Sequence, residues 1–561
     1  MGRKYAWRVY LVSLFLVVAL SGLLWRLIDL NLINRHFLLQ QSDARILRVI
    51  DLPAHRGMIA DRLGTVLALS TPVYSAWINP KYFHATESQF EALSRELNLP
   101  VAMIKARANP VNGKEFVYLR RQNPPEMMEH LKALNVPGLH FQREYQRFYP
   151  EGEVVAHVLG ITNIDDQGQE GVELAYNQWL SGSPGKKEVL KDRLGHVITD
   201  IAYLKKPEQG HDLTLSIDHR IQYVAYRALK EQVQKLHAEA GSIVVLNSKT
   251  GEILAMANLP SYNPNSHIVE NHGDFRNRAV TDSFEPGSSM KPFTIAMALE
   301  SGQYKPESMV DTHPGYMRVG GFEIRDDFVD NGVIDLQMIL EVSSNIGAAK
   351  ILLSLPPQRF WDLLRRVGFG RRTSSGFPGE SSGRLTSHAI WYKSDVATLA
   401  YGYGIAVTTL QLARAYAILA SDGVRRPISF LKLDAVPAGK QVIPKKVARE
   451  VVDMLQTVVT GQRGTAKRAK VPGYLVAGKT GTAYIANAQG YDKKKYVGDF
   501  VGIAPVSDPQ LVIAVVIRDP KGQHFGGDVA APVFAKVMAG ALRILNIPAD
   551  DMKSLQTPVR S

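Results

Sequence analysis

The first pattern in the chain is a long uncharged stretch near its N-terminus. Val9 to Trp25 carry no charged side chain, and an apolar pair, Leu27 and Ile28, follows one arginine. Seventeen uncharged residues lie near the lower limit of the about 17 to 25 that span a bilayer, which predicts a transmembrane anchor over residues 9–30. Three basic residues, Arg3, Lys4 and Arg8, precede the anchor. They predict a cytoplasmic tail over residues 1–8, with the rest of the chain in the periplasm.

A cleaved signal peptide is the alternative for this segment. Ala19-Leu20-Ser21 is an acceptable small-residue cleavage site. However, the apolar sequence continues through Leu23, Leu24 and Trp25, which favours an uncleaved, single-pass anchor in the inner (cytoplasmic) membrane.

The next part of the chain, residues 31–212, mixes short apolar runs with turns marked by Pro and Gly. Gly168 to Leu180 looks helical and ends at the turn signal Gly182-Ser183-Pro184-Gly185. We expect an elongated α+β support domain here.

A more regular pattern begins at residue 213. Leu213 to Ile217 alternates like a strand, and Asp218 can cap the helix that follows. Ser242 to Leu246 and Glu252 to Ala257 then predict a β-hairpin. The helix between them has one apolar face, formed by Ile221, Val224, Ala225, Ala228, Leu229, Val233 and Leu236.

Apolar helical segments dominate from about residue 290 to 420, and the chain closes with strands and a helix from Ala531 to Leu545. Strands at both ends of residues 213–546, with helices between them, predict one antiparallel sheet flanked by helices. The fold class is therefore α+β, with a C-terminal tail at 547–561. The predicted late strands are Tyr474 to Ala477, Phe500 to Ala504 and Leu511 to Ile517.

The composition limits which kinds of catalytic, metal and binding site the chain can form. The chain has 561 residues and no cysteine, which excludes disulfides, cysteine nucleophiles and thiolate metal sites. Its net charge of +13 suits an anionic membrane or cell-wall polymer, whereas no arginine-rich block with aromatics supports nucleic-acid binding. The longest lysine run, Lys493 to Lys495, is predicted to lie on a solvated loop.

Without cysteine, an acyltransferase needs a hydroxyl nucleophile beside a base, and Ser-x-x-Lys on a helix supplies both. The sequence holds three matches, and about two are expected by chance. Ser183-Pro184-Gly185-Lys186 reads as a turn, and Ser429 to Lys432 lies in a β-favouring run, where residues three apart point to opposite faces. Only Ser288 opens a predicted helix, after the breaker Glu285-Pro286-Gly287.

The helix start also suits catalysis. An oxyanion beside Ser288 would lie at the positive end of the helix dipole. Lys291 would lie one turn deeper, where apolar neighbours would disfavour its charged form and make it a neutral base. The available neighbours are Met290, Phe293 and Ile295.

Two further segments follow in a fixed order. Ser343-Ser344-Asn345 begins 55 residues after Ser288, and Lys479-Thr480-Gly481-Thr482 begins 134 residues after Asn345, on a predicted strand. In this order the three segments resemble the active-site signature of the penicillin-binding protein and serine β-lactamase superfamily. Ser261-Tyr262-Asn263 and Lys249-Thr250-Gly251 match the short patterns but precede Ser288, so they are assigned to turns and strand ends.

The resemblance extends over nearly the whole chain. Arg56 to Gly64, Arg147 to Pro150 and Gln169 to Glu173 are similar to motifs of the support domain in class B high-molecular-weight penicillin-binding proteins. Three further segments resemble motifs of the division-type, FtsI-like branch of that class: Glu285 to Ser288, Tyr401 to Gly404 and Ala530 to Phe534. One departure is Ser289-Met290, where that branch more often has Thr and Val.

The resemblance implies a peptidoglycan D,D-transpeptidase. Ser288 would attack the bond between two D-alanines, Lys291 would take its proton, Ser343 would pass a proton to the leaving amine, and Lys479 would keep Lys291 neutral. Asn345, Thr480, Gly481 and Thr482 would bind substrate, and the backbone N–H groups of Ser288 and Thr482 would form the oxyanion hole. It implies no cofactor and no metal.

The implied ligands and partners are peptidoglycan stem peptides, β-lactams as inhibitors, the inner membrane, divisome membrane proteins and a glycosyltransferase. Alternatives stay open: an elongation-type transpeptidase, a β-lactamase or β-lactam sensor, and a scaffold of the division machinery. A hydrolase with a nucleophile elbow at Gly379-Glu380-Ser381-Ser382-Gly383 lacks the strand before and the helix after that such an elbow needs.

Overall fold

The computed structural model describes residues 6–37, 47–109, 114–191, 197–266, 272–327, 330–487 and 490–551. The predicted tails fall partly outside this range, at residues 1–5 and 552–561. The described chain forms two compact units. The first comprises residues 1–56, 71–146 and 181–210, and the second comprises 57–70, 147–180 and 211–561.

The helices and strands are as follows. The α-helices are Ala6–Ile28, Glu87–Leu97, Val101–Arg107, Pro125–Ala133, Ala156–Leu159, Gly171–Ala175, Asn177–Leu180, His219–Lys235, Arg278–Thr281, Lys291–Glu300, Leu336–Glu341, Asn345–Leu353, Pro357–Val367, Lys393–Leu399, Thr409–Ala420, Lys445–Thr460, Gly526–Val529 and Ala531–Ile544. The strands are Leu47–Leu52, Ile59–Ala60, Val66–Ile78, Val117–Asn123, Leu139–Phe148, Gly185–Lys191, Val197–Lys205, Leu213–Thr214, Ala240–Asn247, Ile253–Leu259, Val310–Asp311, Tyr316–Val319, Phe322–Arg325, Val333–Ile334, Val424–Arg425, Lys440–Gln441, Ala477–Asn487, Gly490–Ala504 and Leu511–Arg518.

The first unit begins with the apolar helix. The candidate membrane span Trp7–Ile33 comprises nearly all of the helix Ala6–Ile28 and the π-helical turn Asp29–Ile33 that continues it. Its most apolar 18-residue window has a mean hydropathy of 2.3 and is exposed, and the helix is long enough to cross a membrane. The unit also contains a three-stranded sheet in the order Leu47–Leu52, Gly185–Lys191, Val197–Lys205. A separate small core gathers around residues such as Leu93 and Leu131.

The second unit is built on a five-stranded antiparallel sheet. Its order is Ile253–Leu259, Ala240–Asn247, Leu511–Arg518, Gly490–Ala504, Ala477–Asn487. The strands Ala240–Asn247 and Leu511–Arg518 are almost wholly buried, because helices cover both faces of the sheet. This confirms the predicted α+β sheet closed by sequence-distant strands.

Several local predictions are confirmed. The helix His219–Lys235 begins at Asp218, whose carboxylate accepts the Arg220 backbone N–H at 3.1 Å. The hairpin of Ala240–Asn247 and Ile253–Leu259 is present, and the last long helix, Ala531–Ile544, matches its predicted range within one residue.

Other local predictions are wrong at their boundaries. Of the strand predicted from Tyr474 to Ala477, only Ala477 belongs to a strand, which runs to Asn487, and Tyr474 makes an isolated bridge to Val471. Lys493 to Lys495 lie within the strand Gly490–Ala504 rather than on a loop, at an irregularity where register shifts. The lysines are exposed there, so their charge fits a strand as well as a loop.

Three shorter segments also differ. The strand predicted from Leu213 to Ile217 is only Leu213–Thr214. The single helix expected over Gly168 to Leu180 is two short helices, separated at Tyr176. The β-favouring run at Ser429 makes isolated bridges instead of a strand.

Candidate active site

The nucleophile candidate Ser288 lies in a short 3₁₀ turn, Gly287–Met290, that leads directly into the helix Lys291–Glu300. The α-helix therefore begins three residues later than the sequence predicted. Gly287 has φ +55°, and a Cβ there would lie 2.8 Å from the carbonyl oxygen of Thr482. Glycine thus permits both the left-handed turn and the close approach of the nucleophile to the neighbouring strand.

Lys291 is fully buried, and its amine contacts four oxygen atoms. Its Nζ lies 2.9 Å from Ser288 Oγ, 2.8 Å from Asn345 Oδ1, 3.1 Å from Ser343 Oγ and 2.5 Å from the Ser343 carbonyl oxygen. A neutral amine has two N–H donors and one lone pair. The carbonyl oxygens of Ser343 and Asn345 can only accept, so they use both donors and leave the lone pair for a hydroxyl proton.

Burial supports the same protonation state. It lowers the pKa of Lys291 from its usual 10.5 to about 8, although the carboxylates of Asp326 and Asp327 act in the opposite direction. A lysine with that pKa is partly neutral at physiological pH and can accept a proton from Ser288.

Ser343 connects the two lysines of the site. Its Oγ lies 3.1 Å from Lys291 Nζ and 2.9 Å from Lys479 Nζ. Its backbone is left-handed, with φ +61°, which is unusual for a residue other than glycine and is a form of strain that clusters at functional sites. The following helix fixes this geometry, because Ser344 caps it by accepting the Gly347 N–H at 2.9 Å.

Lys479 lies on the strand Ala477–Asn487 and is fully buried. Burial and then the charge of Lys291 hold the pKa of Lys479 well below its ordinary value, while Asp499 and Asp327 oppose that shift. Two amines beside one hydroxyl disfavour each other's charge, so this cluster is built to hold fewer protons than two free lysines.

A cleft of about 460 Å³ opens over these residues. Thr480 and Thr482 line it from the strand, and their hydroxyls contact Thr465 Oγ1 at 3.0 Å and the Gly526 N–H at 3.1 Å, respectively. Asn345 lines the opposite side, and its amide N–H donates to the Arg325 carbonyl at 2.9 Å.

The structure thus brings together the residues that the sequence singled out. Ser288, Ser343, Asn345, Thr480 and Thr482 line one cleft, with Lys291 and Lys479 directly below. Gly481 does not line it. The decoy segments at Ser261, Lys249, Ser381 and Ser429 do not line this cleft, and Ser183 lies in the first unit.

Some residues of the site were missed by the sequence analysis. Asp326 accepts hydrogen bonds from Ser344 Oγ at 2.7 Å and from the Asn345 N–H at 2.6 Å, so it anchors the start of that helix. Asp499 is fully buried behind the turn of Ser288. Its signal was a single acid inside an otherwise apolar strand segment. Other lining residues that the sequence analysis missed are Arg463, Thr465 and Phe525. Tyr401 and Tyr403 also line the cleft, and the sequence analysis had singled them out only as part of a family motif.

One group of side chains in the described part of the chain has the spacing of a metal site: Asp61, Asp218 and His219. These atoms already have partners. Asp61 Oδ2 contacts His219 Nδ1 at 2.8 Å, and Asp218 pairs with Arg220 at 2.7 Å. The group therefore joins a turn to the start of the helix His219–Lys235.

Two protein-family models match the chain. The Penicillin binding protein transpeptidase domain matches residues 241–539, and the Penicillin-binding Protein dimerisation domain matches residues 51–215. The first match includes every residue of the cleft described above.

Curated relatives match over nearly the full length. The chain is 43% identical over 548 residues to the probable peptidoglycan D,D-transpeptidase PbpC of Pseudomonas aeruginosa, covering 97% of this chain and 96% of that one. It is 41% identical over 551 residues to the peptidoglycan D,D-transpeptidase FtsI of Escherichia coli K12, covering 97% and 93%.

Solved structures of penicillin-binding and peptidoglycan-synthesis proteins also match this chain. The TP domain of penicillin-binding protein 3 from Burkholderia pseudomallei is 42% identical, with a TM-score of 0.55 over 60% of this chain and 97% of that one. A peptidoglycan synthetase from Bifidobacterium adolescentis is 25% identical, with a TM-score of 0.71 over 92% of this chain and 98% of that one.

Proposed function

Because this chain belongs to the class B penicillin-binding proteins, we propose that it cross-links peptidoglycan as a serine-type D,D-transpeptidase, with Ser288 as the acylated residue. The observation that carries the assignment is the 2.9 Å contact between Lys291 Nζ and Ser288 Oγ, within a hydrogen-bond arrangement that suits a neutral amine. β-Lactams would acylate the same serine.

The reaction follows from the positions of these groups. Ser288 Oγ attacks the carbonyl carbon between two D-alanines while its proton passes to Lys291. The tetrahedral oxyanion is stabilised by the backbone N–H groups of Ser288 and Thr482. When the C–N bond breaks, the departing D-alanine amine receives a proton through Ser343, which contacts Lys291 and Lys479. An amine of a second stem peptide then attacks the ester and releases Ser288.

The remaining roles concern the substrate. Thr480 and Thr482 would donate hydrogen bonds to the terminal carboxylate, which the positive potential of Lys479 attracts. Asn345 would hold the donor peptide amide. Its side chain is held by Lys291 and Arg325, which leaves one N–H and one lone pair for that contact. Gly481 would act as backbone that lets this strand lie close to its neighbours.

Cellular placement is also part of the proposal. The exposed apolar helix Trp7–Ile33 suggests membrane anchoring. We place it in the inner membrane with the N-terminus in the cytoplasm and the catalytic unit in the periplasm, because basic residues precede it. Similarity to FtsI supports a role in septal synthesis, with divisome membrane proteins and a glycosyltransferase as partners.

Labelling with fluorescent penicillin tests the nucleophile. We expect Ser288→Ala to abolish the covalent adduct and Ser381→Ala, in the rival elbow motif, to leave it intact. Circular dichroism would verify that both variants fold. An adduct that persists in Ser288→Ala, or that is lost in Ser381→Ala, would refute the assignment.

Two further measurements separate the related functions. A transpeptidase should hold the penicilloyl ester for many minutes, whereas steady hydrolysis of penicillin by the purified protein would indicate a β-lactamase. Depletion in cells should give filaments if the enzyme acts at the septum, and spheres if it acts in elongation.

A further inference from the structure

A buried carboxyl group lies directly behind the nucleophile turn and has no part in the reaction described above. Asp499 belongs to the strand Gly490–Ala504 and pairs in register with Gly481 of the adjacent strand. Its exposed fraction is 0%. A fully buried acid in an otherwise apolar strand segment requires partners for both of its oxygen atoms.

One oxygen has a partner on the turn itself. Ser289 Oγ donates a hydrogen bond to Asp499 Oδ1, and the carbonyl of Ser289 accepts one from Tyr416 Oη at 2.8 Å. Ser289 follows the nucleophile directly. It is also the position at which the sequence departs from the Thr more usual in the FtsI-like branch, so the serine and the acid form one structural feature.

The other oxygen, Oδ2, receives no hydrogen bond from any described residue. A Cβ placed on Gly481 would lie 2.0 Å from this atom and 2.4 Å from the carbonyl oxygen of Pro286. Two oxygens therefore face the same small space. If Asp499 were ionised, both would be acceptors and would repel each other, whereas a proton on Oδ2 would give the pair a hydrogen bond.

The Pro286 carbonyl has room for that bond. It already accepts the backbone N–H of Ser289 at 3.3 Å, and a carbonyl oxygen has two lone pairs. Pro286 and Ser289 lie on either side of Gly287 and Ser288 in the sequence.

Charged and titratable neighbours face Asp499 from two elements. Lys479 lies on the adjacent strand and Tyr416 on the helix Thr409–Ala420, while Lys291 and Asp327 act on Lys479. Burial raises the pKa of Asp499 to about 8, and the Ser289 hydrogen bond and the charge of Lys479 only partly offset it. At neutral pH the acid is therefore mostly protonated, in agreement with the geometry.

We propose that Asp499 is a positioning residue that acts as a neutral carboxylic acid, with Oδ1 accepting from Ser289 and a proton on Oδ2 donated to the Pro286 carbonyl. One side chain then holds the turn on both sides of Ser288 and fixes its hydroxyl against Lys291. The proposal rests on the proposed function, because it assigns a role in acylation of Ser288.

Substitution by asparagine provides the sharpest test, because an amide keeps both hydrogen bonds and cannot ionise. Asp499→Asn should keep the rate of penicillin acylation at pH 7 within about threefold of wild type. Asp499→Ala, which removes both bonds, should lose about ten- to a hundredfold. Asp492→Asn, at the exposed end of the same strand, is the matched control and should leave the rate unchanged.

The pH profile separates positioning from a general structural role. Above about pH 8 the wild-type acid ionises and the Pro286 contact is lost, so wild-type acylation should fall below the plateau that the neutral Lys291 amine sets, while Asp499→Asn should reach that plateau and hold it. If Asp499→Asn lost as much activity at pH 7 as Asp499→Ala, or kept the alkaline decline, the proposal would be overturned. Mass spectrometry of the labelled peptide keeps this outcome distinct from failure of the Ser288 assignment.

Thermal unfolding gives a second readout that does not depend on activity. The acid ionises near pH 3.8 in the unfolded chain and near pH 8 in the folded one, so the wild type loses stability as pH rises between these values. Asparagine removes this loss. The melting temperature of Asp499→Asn relative to wild type should therefore rise from pH 6 to pH 8, and a constant difference would contradict the proposal.

Discussion

The pH dependence of acylation tests the role of Lys291 directly. Its pKa of about 8 means that about one tenth of the protein carries a neutral amine at pH 7 and about one hundredth at pH 6. At the usual pKa of 10.5 the neutral fraction at pH 7 would be only about one in three thousand. The buried site thus raises the amount of active base at neutral pH by a factor of several hundred.

The measurement is the second-order rate constant for labelling by fluorescent penicillin between pH 5.5 and 8. We expect the rate to rise about tenfold from pH 6 to pH 7 and then less steeply up to pH 8, because only the neutral amine accepts the Ser288 proton. The carboxylate of the penicillin stays ionised over this interval, so the rise reports the enzyme.

Lys291→Arg supplies the control, because a guanidinium of similar length stays charged at every pH used. It should label about 10² to 10⁴ times more slowly than wild type and show no such rise. A wild-type rate that is level between pH 6 and pH 7.5, or an arginine variant that labels at nearly the wild-type rate, would refute Lys291 as the base.

Three other predictions follow from features of the two units. Glu173→Gln should lower the free energy of unfolding, measured by chemical denaturation, by about 3 to 5 kcal/mol, because it leaves the buried guanidinium of Arg147 without its 2.6 Å carboxylate partner. The control Glu239→Gln, at the exposed pair with Arg518, should lower it by less than about 1 kcal/mol. Gly481→Ala should slow penicillin acylation at least about tenfold, since its Cβ would lie 2.0 Å from Oδ2 of the buried Asp499 and displace the strand. Labelling at the wild-type rate would show that the strand accommodates the methyl group and would contradict this prediction. Deleting the helix Trp7–Ile33 should move the protein from the membrane fraction to the soluble fraction while penicillin labelling persists, and continued sedimentation with membranes would contradict its role as the anchor.

Much of the site could be predicted from the sequence because its residues are tied to local motifs. Ser288 and Lys291 are three apart at a helix start, and the lysine of Lys479-Thr480-Gly481 lies on a strand that the pattern located within a few residues. Periodicity also predicted the central hairpin and the last helix, since their buried faces repeat along the chain.

Contacts between residues far apart in the sequence could not be predicted from local motifs or periodicity. Asp499 lies 210 residues from Ser289, and no local pattern connects them. Asp326 accepts hydrogen bonds from Ser344 and Asn345, which lie 18 and 19 residues later in the sequence, and only the folded chain brings them together. The left-handed backbone at Ser343 was equally hidden, because a serine gives no local sign of positive φ.

The order of strands in the five-stranded sheet has a consequence for how the protein is made. The middle strand, Leu511–Arg518, is among the last parts of the chain to be synthesised, and its partner Ala240–Asn247 is complete about 260 residues earlier. Until the middle strand arrives, the hairpin that precedes Ser288 and the strands that follow it each keep an unpaired apolar edge, which invites aggregation. Nascent chains interrupted before residue 511 should therefore be substrates for chaperones and proteases, however complete their catalytic motifs are.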